Sequence, residues 1–143
     1  MQIRRVVQVP VALPVVFGYL SDFTTTTEWD PGTVRTELID GDGGVGTRYR
    51  NISRFLGRQT ELTYTVAEYD APHRIRLRGV NKTVTAIDVM EFRDVDGRTE
   101  VTYVADFTFV GVARFLGPLI APALRRLGDD AAVGMRRALM ALA

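Results

Sequence analysis

The sequence predicts an α+β fold: an antiparallel sheet of about seven strands, two short helices after the first strand, and one long C-terminal helix. Three observations support this. Several segments alternate between apolar and polar residues with a period of two, which is typical of strands with one buried face. Turn sequences such as Gly41–Gly46 and Asp96-Gly97 separate them. From Val112 to Leu142 the apolar period changes to that of a helix.

The N-terminal region predicts one strand and two short helical segments. Residues 3–9 are mostly β-branched and predict a strand that Pro10 ends. Pro14 suits the first turn of a helix, and Val16, Phe17 and Leu20 then share one face. Residues 21–27 predict a short, irregular second helix or a loop.

Six further strands are expected over residues 32–40, 45–55, 59–69, 73–80, 83–93 and 98–110. The C-terminal helix should begin near Pro118 or Pro122, after a short helical or looped lead-in, because proline is not tolerated deep inside a helix. Its apolar face is expected to carry Leu124, Leu127, Ala131, Met135, Ala138 and Leu142.

Turn geometry predicts strand register. A two-residue turn at Asp96-Gly97 pairs Phe92 with Val101, Met90 with Tyr103, Asp88 with Ala105 and Ala86 with Phe107. Directly opposed residues share a face of the sheet. A tight turn at Asn81-Lys82 would place Leu77 against Ala86 and Ile75 against Asp88.

The predicted inner face is apolar with several polar groups. Arg48, Arg50 and Arg54 should face water, so the residues between them turn inward. The polar inner groups are then Tyr49, Asn51, Ser53, Tyr64, Asp88 and Tyr103. A few converging polar groups on an apolar wall are typical of ligand pockets, although the same groups could bond one another and complete a core.

Asp88 is the most informative of these residues. A carboxylate on an apolar face is unfavourable unless it is paired or protonated, so an inward Asp88 should have a raised pKa. In the alternative, a β-bulge turns Asp88 outward and brings Ile87 and Val89 inside. If Asp88 does face inward, Ile87, Val89 and Val104 lie outside and could mark a homodimer contact.

Composition narrows the function classes. The chain has 143 residues, consistent with one domain over residues 1–143, and a net charge of +1 that gives no global field for nucleic acid. It has no cysteine and one histidine, so Cys-based metal sites and thiol nucleophiles are excluded. No segment approaches the roughly 20 apolar residues of a membrane span, and a cytoplasmic location is expected. We expect no cofactor and no metal.

Three motifs carry a family resemblance. The first is Trp29 with Pro31 and the turn Gly44-Val45-Gly46-Thr47-Arg48; the second is Glu68–Arg74; the third is Glu91-Phe92 with Thr99–Thr102. Together they resemble the polyketide cyclase/dehydrase-like branch of the START/Bet v 1-like (SRPBCC) superfamily. The resemblance implies a helix-grip fold, in which a curved sheet surrounds the C-terminal helix and a cavity for an apolar small molecule lies between them.

Two functions follow from this resemblance. The first is binding of a hydrophobic or aromatic, polyketide- or lipid-like molecule. The second is polyketide cyclisation or dehydration, with Asp88 as the catalytic acid or base and tyrosines as hydrogen-bond donors. The expected ligand-binding residues are Trp29, Tyr49, Asn51, Ser53, Tyr64, Leu77, Met90, Tyr103, Phe107, Leu127 and Ala131.

Three other features carry weaker functional signals. Gly41–Gly46 lies between strands and lacks the following helix and Lys-Ser/Thr of a phosphate loop, which indicates a turn. His73 is expected at an exposed strand start. The outer-face arginines at 48, 50, 54, 74, 76 and 78 indicate a solvated surface or, alternatively, a docking patch for an acidic partner such as an acyl carrier protein.

Overall fold

A computed structural model describes all residues from Met1 to Ala143. Seven antiparallel strands form one curved sheet in the order β1-β7-β6-β5-β4-β3-β2. The strands are β1 (Gln2–Val9), β2 (Thr33–Asp40), β3 (Arg48–Phe55), β4 (Arg58–Asp70), β5 (Arg74–Val80), β6 (Val84–Val95) and β7 (Arg98–Phe109). The predicted α+β helix-grip fold is therefore confirmed, with strand limits that differ from the expected ones by at most three residues.

The helices lie where the sequence places them. Helix α1 spans Leu13–Ser21, a 3-10 turn spans Phe23–Thr25, and α2 spans Thr26–Trp29. A 3-10 helix, Gly111–Leu116, leads into the long helix α3, Gly117–Met140. Pro118 occupies the first turn of α3, while Pro122 lies inside the helix. No helix combines the length and apolar composition that crossing a membrane requires.

The β6–β7 register agrees with the prediction from the Asp96-Gly97 turn: Phe92 pairs with Val101 and Asp88 with Ala105. The β5–β6 register is shifted. Leu77 pairs with Asp88 and Ile75 with Met90, because the connection is a longer loop in which the Asn81 side chain accepts hydrogen bonds from the Thr83 and Val84 N–H groups. The shift is two residues, so every side chain keeps its predicted face.

The main core lies between the sheet, α1 and the C-terminal half of α3. It contains Phe17, Leu20, Leu77, Met90 and Met135, all buried. Leu139 takes the last core position of α3, since the helix ends at Met140 and the predicted Leu142 lies beyond it. A smaller cluster of Ile3, Ile120 and Leu124 packs at the other end of the sheet, and the space between the two clusters is not filled.

Candidate functional site: an apolar cavity with a buried carboxyl group

A cavity of about 370 Å³ lies between the inner face of the sheet and α3. Its wall is mostly apolar and includes Phe107, Leu127 and Ala131, as the sequence predicts. Five wall residues are exposed to solvent: Leu56, Arg58, Asn81, Thr83 and Leu116. They come from the β3–β4 turn, the β5–β6 loop and the 3-10 helix before α3, so the cavity opens at this end of the sheet.

Asp88 faces into this cavity, which excludes the β-bulge alternative. Its side chain is only 4% exposed. Tyr103 pairs with Met90, two residues from Asp88 on the same face. The Tyr103 hydroxyl therefore reaches across the ladder and donates a 3.0 Å hydrogen bond to Oδ2 of Asp88. The Oδ1 atom of Asp88 is buried and has no hydrogen-bond partner.

Burial dominates the electrostatics of this carboxyl group. The pKa of Asp88 is raised from 3.8 to about 7, mainly by desolvation; the hydrogen bond from Tyr103 lowers it, and the nearby negative charge of Asp30 raises it. Burial also raises the pKa of Tyr103 well above its ordinary value. Asp88 can therefore hold or release a proton near neutral pH, within the cavity wall.

Asp30 is a second cavity carboxyl group, which the apolar–polar pattern of the sequence does not reveal. It follows α2, accepts hydrogen bonds from the Gly32 N–H and the Thr33 hydroxyl, and has a pKa raised by burial. The only sequence signal is its position before Pro31-Gly32, where Asp usually serves a turn. A turn sequence does not show whether the Asp30 carboxyl group also faces the cavity.

The Asn51 side chain belongs to a satisfied polar network. Its Nδ2 donates to the Thr36 hydroxyl at 2.9 Å, and its Oδ1 accepts from the Ser53 hydroxyl at 2.7 Å. Asn51 and Ser53 line the cavity, but their hydrogen bonds are largely made within the protein. Asp88 is different, because its buried Oδ1 has no hydrogen-bond partner within the protein.

Tyr64 also lines the cavity, and its hydroxyl makes no hydrogen bond within the protein. Its ring lies over Gly79, where an added Cβ atom would be 2.6 Å from the ring. Glycine at this position therefore allows the close approach of β5 to the tyrosine. Burial raises the pKa of Tyr64 well above its ordinary value.

Four predicted lining residues are absent from the cavity wall: Trp29, Tyr49, Leu77 and Met90. All four are buried in the main core instead. They lie towards the end of the inner face that α1, α2 and Phe23 cover, so their side chains meet protein atoms. Trp29 packs edge-on against Tyr103, with ring centroids 5.9 Å apart, and its indole N–H has no acceptor.

The wall contains further residues that are not among the predicted ligand-binding residues. They include Phe55 and Leu56 at the end of β3, Phe109 at the end of β7, and Ala113 and Leu116 of the 3-10 helix. Leu56, Ala113 and Leu116 lie in a turn and a 3-10 segment, where strand alternation does not extend, and Phe55 and Phe109 are the last residues of their strands. Periodicity identifies the floor of the cavity but not its mouth.

Metal ligation and the outer surface add little to the site. No three His, Asp or Glu side chains come together in a geometry that could hold a metal ion, and His73 is exposed just before β5.

Most outer-face arginines are paired: Arg48 with Asp40, Arg50 with Glu61, and Arg74 and Arg76 with Glu68. This pairing reduces the charge available to an acidic partner, and carrier-protein docking stays a prediction. A homodimer through Ile87, Val89 and Val104, which are half-buried on the outer face, also stays a prediction.

Similar folds occur in several solved structures. A protein of Thermus thermophilus superposes with a TM-score of 0.85 at 14% identity, covering 100% of this chain and 99% of that chain. The Zhui aromatase/cyclase from Streptomyces sp. R1128 gives 0.80 at 16% identity, covering 99% and 92%. A START superfamily protein from Mycobacterium smegmatis gives 0.79 at 12% identity, covering 99% of each. At these identities the likeness concerns the fold.

The sequence itself carries the family assignment. No curated protein matches the chain closely enough to be called a relative. A family model, described as "Polyketide cyclase / dehydrase and lipid transport", matches residues 1–141. The chain therefore belongs to this family.

Proposed function

We propose that the protein binds a hydrophobic or aromatic small molecule, polyketide- or lipid-like, in the cavity between the sheet and α3. The observation that supports this most directly is an open cavity of about 370 Å³ with a mainly apolar wall. Protein interiors are close-packed, and unfilled apolar space of this size loses packing energy. A ligand that fills it would restore those contacts.

The polar groups of the wall define how such a ligand would be oriented. The buried Oδ1 of Asp88 lacks a partner and would accept a hydrogen bond from a ligand once side-chain movement uncovers it, and the hydroxyl of Tyr64 can donate or accept one. A ligand with a hydroxyl group at one end of an apolar body would satisfy both. Pockets of this kind use a few convergent polar groups for orientation and the apolar wall for affinity.

A binding test uses 2-naphthol as the probe, followed by isothermal titration calorimetry and by ¹⁵N chemical shifts. We expect saturable binding with shifts concentrated on β3, β4, β7 and α3. The cavity-filling variant Ala131→Trp should lose binding, whereas the exposed control Val133→Trp on the same helix should keep it. Native mass spectrometry of protein purified from its own host would identify a retained natural ligand.

A second candidate function is polyketide cyclisation or dehydration. The Asp88–Tyr103 pair favours it, because an acid with a pKa of about 7 can serve as both base and acid at neutral pH. The Zhui structure with the same fold is an aromatase/cyclase. This similarity adds support to the proposal through fold analogy alone.

In this reaction, Oδ1 of Asp88 would remove a proton from a methylene group that lies between two carbonyl groups of a linear poly-β-ketone substrate. The resulting enolate carbon attacks a second carbonyl carbon and forms a C–C bond. Asp88 returns the proton to the new alkoxide, and loss of water then gives the unsaturated ring. The cavity contributes by holding the reacting carbons in contact.

The catalytic proposal is tested with a linear poly-β-ketone thioester as substrate. We expect wild-type protein to accelerate formation of the aromatic product and Asp88→Asn to slow it by roughly 10²–10⁴-fold. Wild-type rates equal to the uncatalysed rate, together with saturable binding of the substrate, would exclude catalysis and leave the binding function intact.

A further inference from the structure

The cavity mouth carries a group of exposed apolar side chains that the fold does not use. Val112 is 83% exposed, Leu119 75%, Phe115 70% and Leu56 63%. Monomeric proteins rarely leave several large apolar residues exposed together unless the patch contacts something. We refer to these four residues as the apolar rim.

The 3-10 helix before α3 separates two apolar faces. In 3-10 geometry, residues three apart lie one above the other. Ala113 and Leu116 face the cavity, whereas Val112 and Phe115 form a second row that faces solvent. Ala113 and Leu116 are apolar because they form part of the cavity wall. Packing within the protein gives no reason for Val112 and Phe115 to be apolar.

Leu56 is also an exposed apolar residue that packing does not explain, and its backbone is strained. It lies at the tip of the β3–β4 turn with φ 52°, followed by Gly57 at φ 76°. Turns of this type favour Asn or Gly, and a positive φ is unfavourable for a residue as large as leucine. The chain nevertheless places an exposed leucine here, at the edge of the cavity mouth.

The charges around the apolar rim all have one sign. The mouth segments, residues 54–60, 81–84 and 109–119, contain Arg54, Arg58, Lys82 and Arg114 but no Asp or Glu. None of these four side chains is in an ion pair, although their outer-face neighbours Arg48 and Arg50 are. Arg114 lies over the Phe115 ring, with its guanidinium carbon 4.6 Å from the ring centroid.

The turns at the opposite end of the sheet have the opposite charge. The turns at residues 40–47, 70–73 and 94–97 contain acidic residues and no Arg or Lys. Their members without ion pairs are Asp42, Asp70, Asp94 and Asp96. The unpaired charges of the turns are therefore positive at the cavity mouth and negative at the opposite end. Such a distribution orients a protein towards a negatively charged surface.

We propose that the cavity mouth docks on an anionic lipid membrane surface. The apolar rim would insert into the boundary between headgroups and acyl chains, while Arg54, Arg58, Lys82 and Arg114 would contact lipid phosphates. Because the rim surrounds the opening, docking would join the cavity to the apolar interior of the bilayer. An apolar ligand could then pass between them without crossing water.

The test is cosedimentation of the whole protein with vesicles of phosphatidylcholine alone or mixed equally with phosphatidylglycerol. We expect binding to the mixed vesicles, little binding to the neutral ones, and a large loss of binding between about 0.1 M and about 1 M salt. Phe115→Ser with Leu119→Ser should reduce the partition coefficient at least roughly tenfold. Arg58→Gln with Arg114→Gln should do so by a similar factor.

Matched controls carry the same substitutions away from the mouth. Val45→Ser with Val133→Ser removes exposed apolar side chains, and Arg98→Gln with Arg137→Gln removes two exposed charges. Both should bind like the wild type, and all variants should keep the wild-type melting temperature. The proposal is overturned if anionic vesicles do not bind the protein, or if controls and mouth variants lose binding equally. It is also overturned if light scattering shows that the rim is covered by a second copy.

Discussion

The Tyr103 hydroxyl donates a 3.0 Å hydrogen bond to Oδ2 of Asp88, while Oδ1 of the same carboxyl group is buried without a partner. One oxygen of the carboxyl group is therefore held in place by the protein, and the other has no partner although the residue lines the cavity. This arrangement links the stability of the fold, its pH dependence and its proposed function, and each link can be measured.

The Asp88 carboxyl group should make stability depend on pH. Its folded pKa of about 7 lies above the ordinary 3.8, so the folded state binds the proton more tightly than the unfolded state. The free energy of unfolding should therefore fall as pH rises from about 4 to about 7, by on the order of 4 kcal/mol at most. Urea unfolding of the wild type and Asp88→Asn across this pH range measures the fall in the free energy of unfolding. The fall should be smaller in Asp88→Asn by the contribution of Asp88. Equal pH dependence in both proteins would show that burial does not raise the pKa of Asp88.

The Tyr103→Phe variant should raise the pKa of Asp88 further. The hydroxyl of Tyr103 stabilises the charged form, and the phenylalanine ring keeps the shape but donates nothing. The measurement is a ¹³C NMR titration of the Asp88 carboxyl. Tyr64→Phe is the control, because Tyr64 makes no hydrogen bond to Asp88. An unchanged or lowered Asp88 pKa in Tyr103→Phe would contradict the hydrogen bond.

Trp29 should be a major contributor to stability. It is buried at the end of α2, in the main core and in edge contact with Tyr103. Trp29→Ala should lower the free energy of unfolding by ~3–5 kcal/mol. Denaturant unfolding, with the exposed Val133→Ala as control, measures this loss. An unchanged midpoint for Trp29→Ala would show that the indole ring does not hold the α2 corner to the core.

Two helical glycines should respond oppositely to alanine. At Gly134 in α3 an added Cβ atom would lie 2.0 Å from the carbonyl oxygen of Trp29, whereas at Gly18 in α1 it meets nothing within 4 Å. Alanine gains about 1 kcal/mol of helix propensity over glycine. Gly18→Ala should therefore be neutral or stabilising, and Gly134→Ala should lower the melting temperature. Equal effects would show that α2 does not approach α3 closely at Gly134.

Much of the fold follows from the sequence because it depends on local rules. Alternation placed Tyr64 and Asp88 on the inner face, and the Asp96-Gly97 turn fixed the β6–β7 register. The β5–β6 register was wrong by two residues, since the capping role of Asn81 lengthens that loop. Such a side-chain capping interaction is not visible in an apolar–polar pattern.

The site was harder to predict than the fold. Inward orientation was correct for Leu77 and Met90, yet both are core residues, because α1 covers their part of the sheet. Sequence periodicity shows which face a residue occupies but not how far along the strand the packing ends. Asp30 was missed for a related reason, since its turn chemistry concealed a position in the cavity wall.

Binding of an apolar molecule oriented by Asp88 is tested by comparing 2-naphthol with naphthalene in calorimetric titrations. Both compounds should bind the wild type, and 2-naphthol should bind more tightly. Asp88→Ala should remove most of this difference while naphthalene affinity is largely kept. Absence of saturable binding for either compound, with shifts spread over the protein surface, would contradict binding in the cavity.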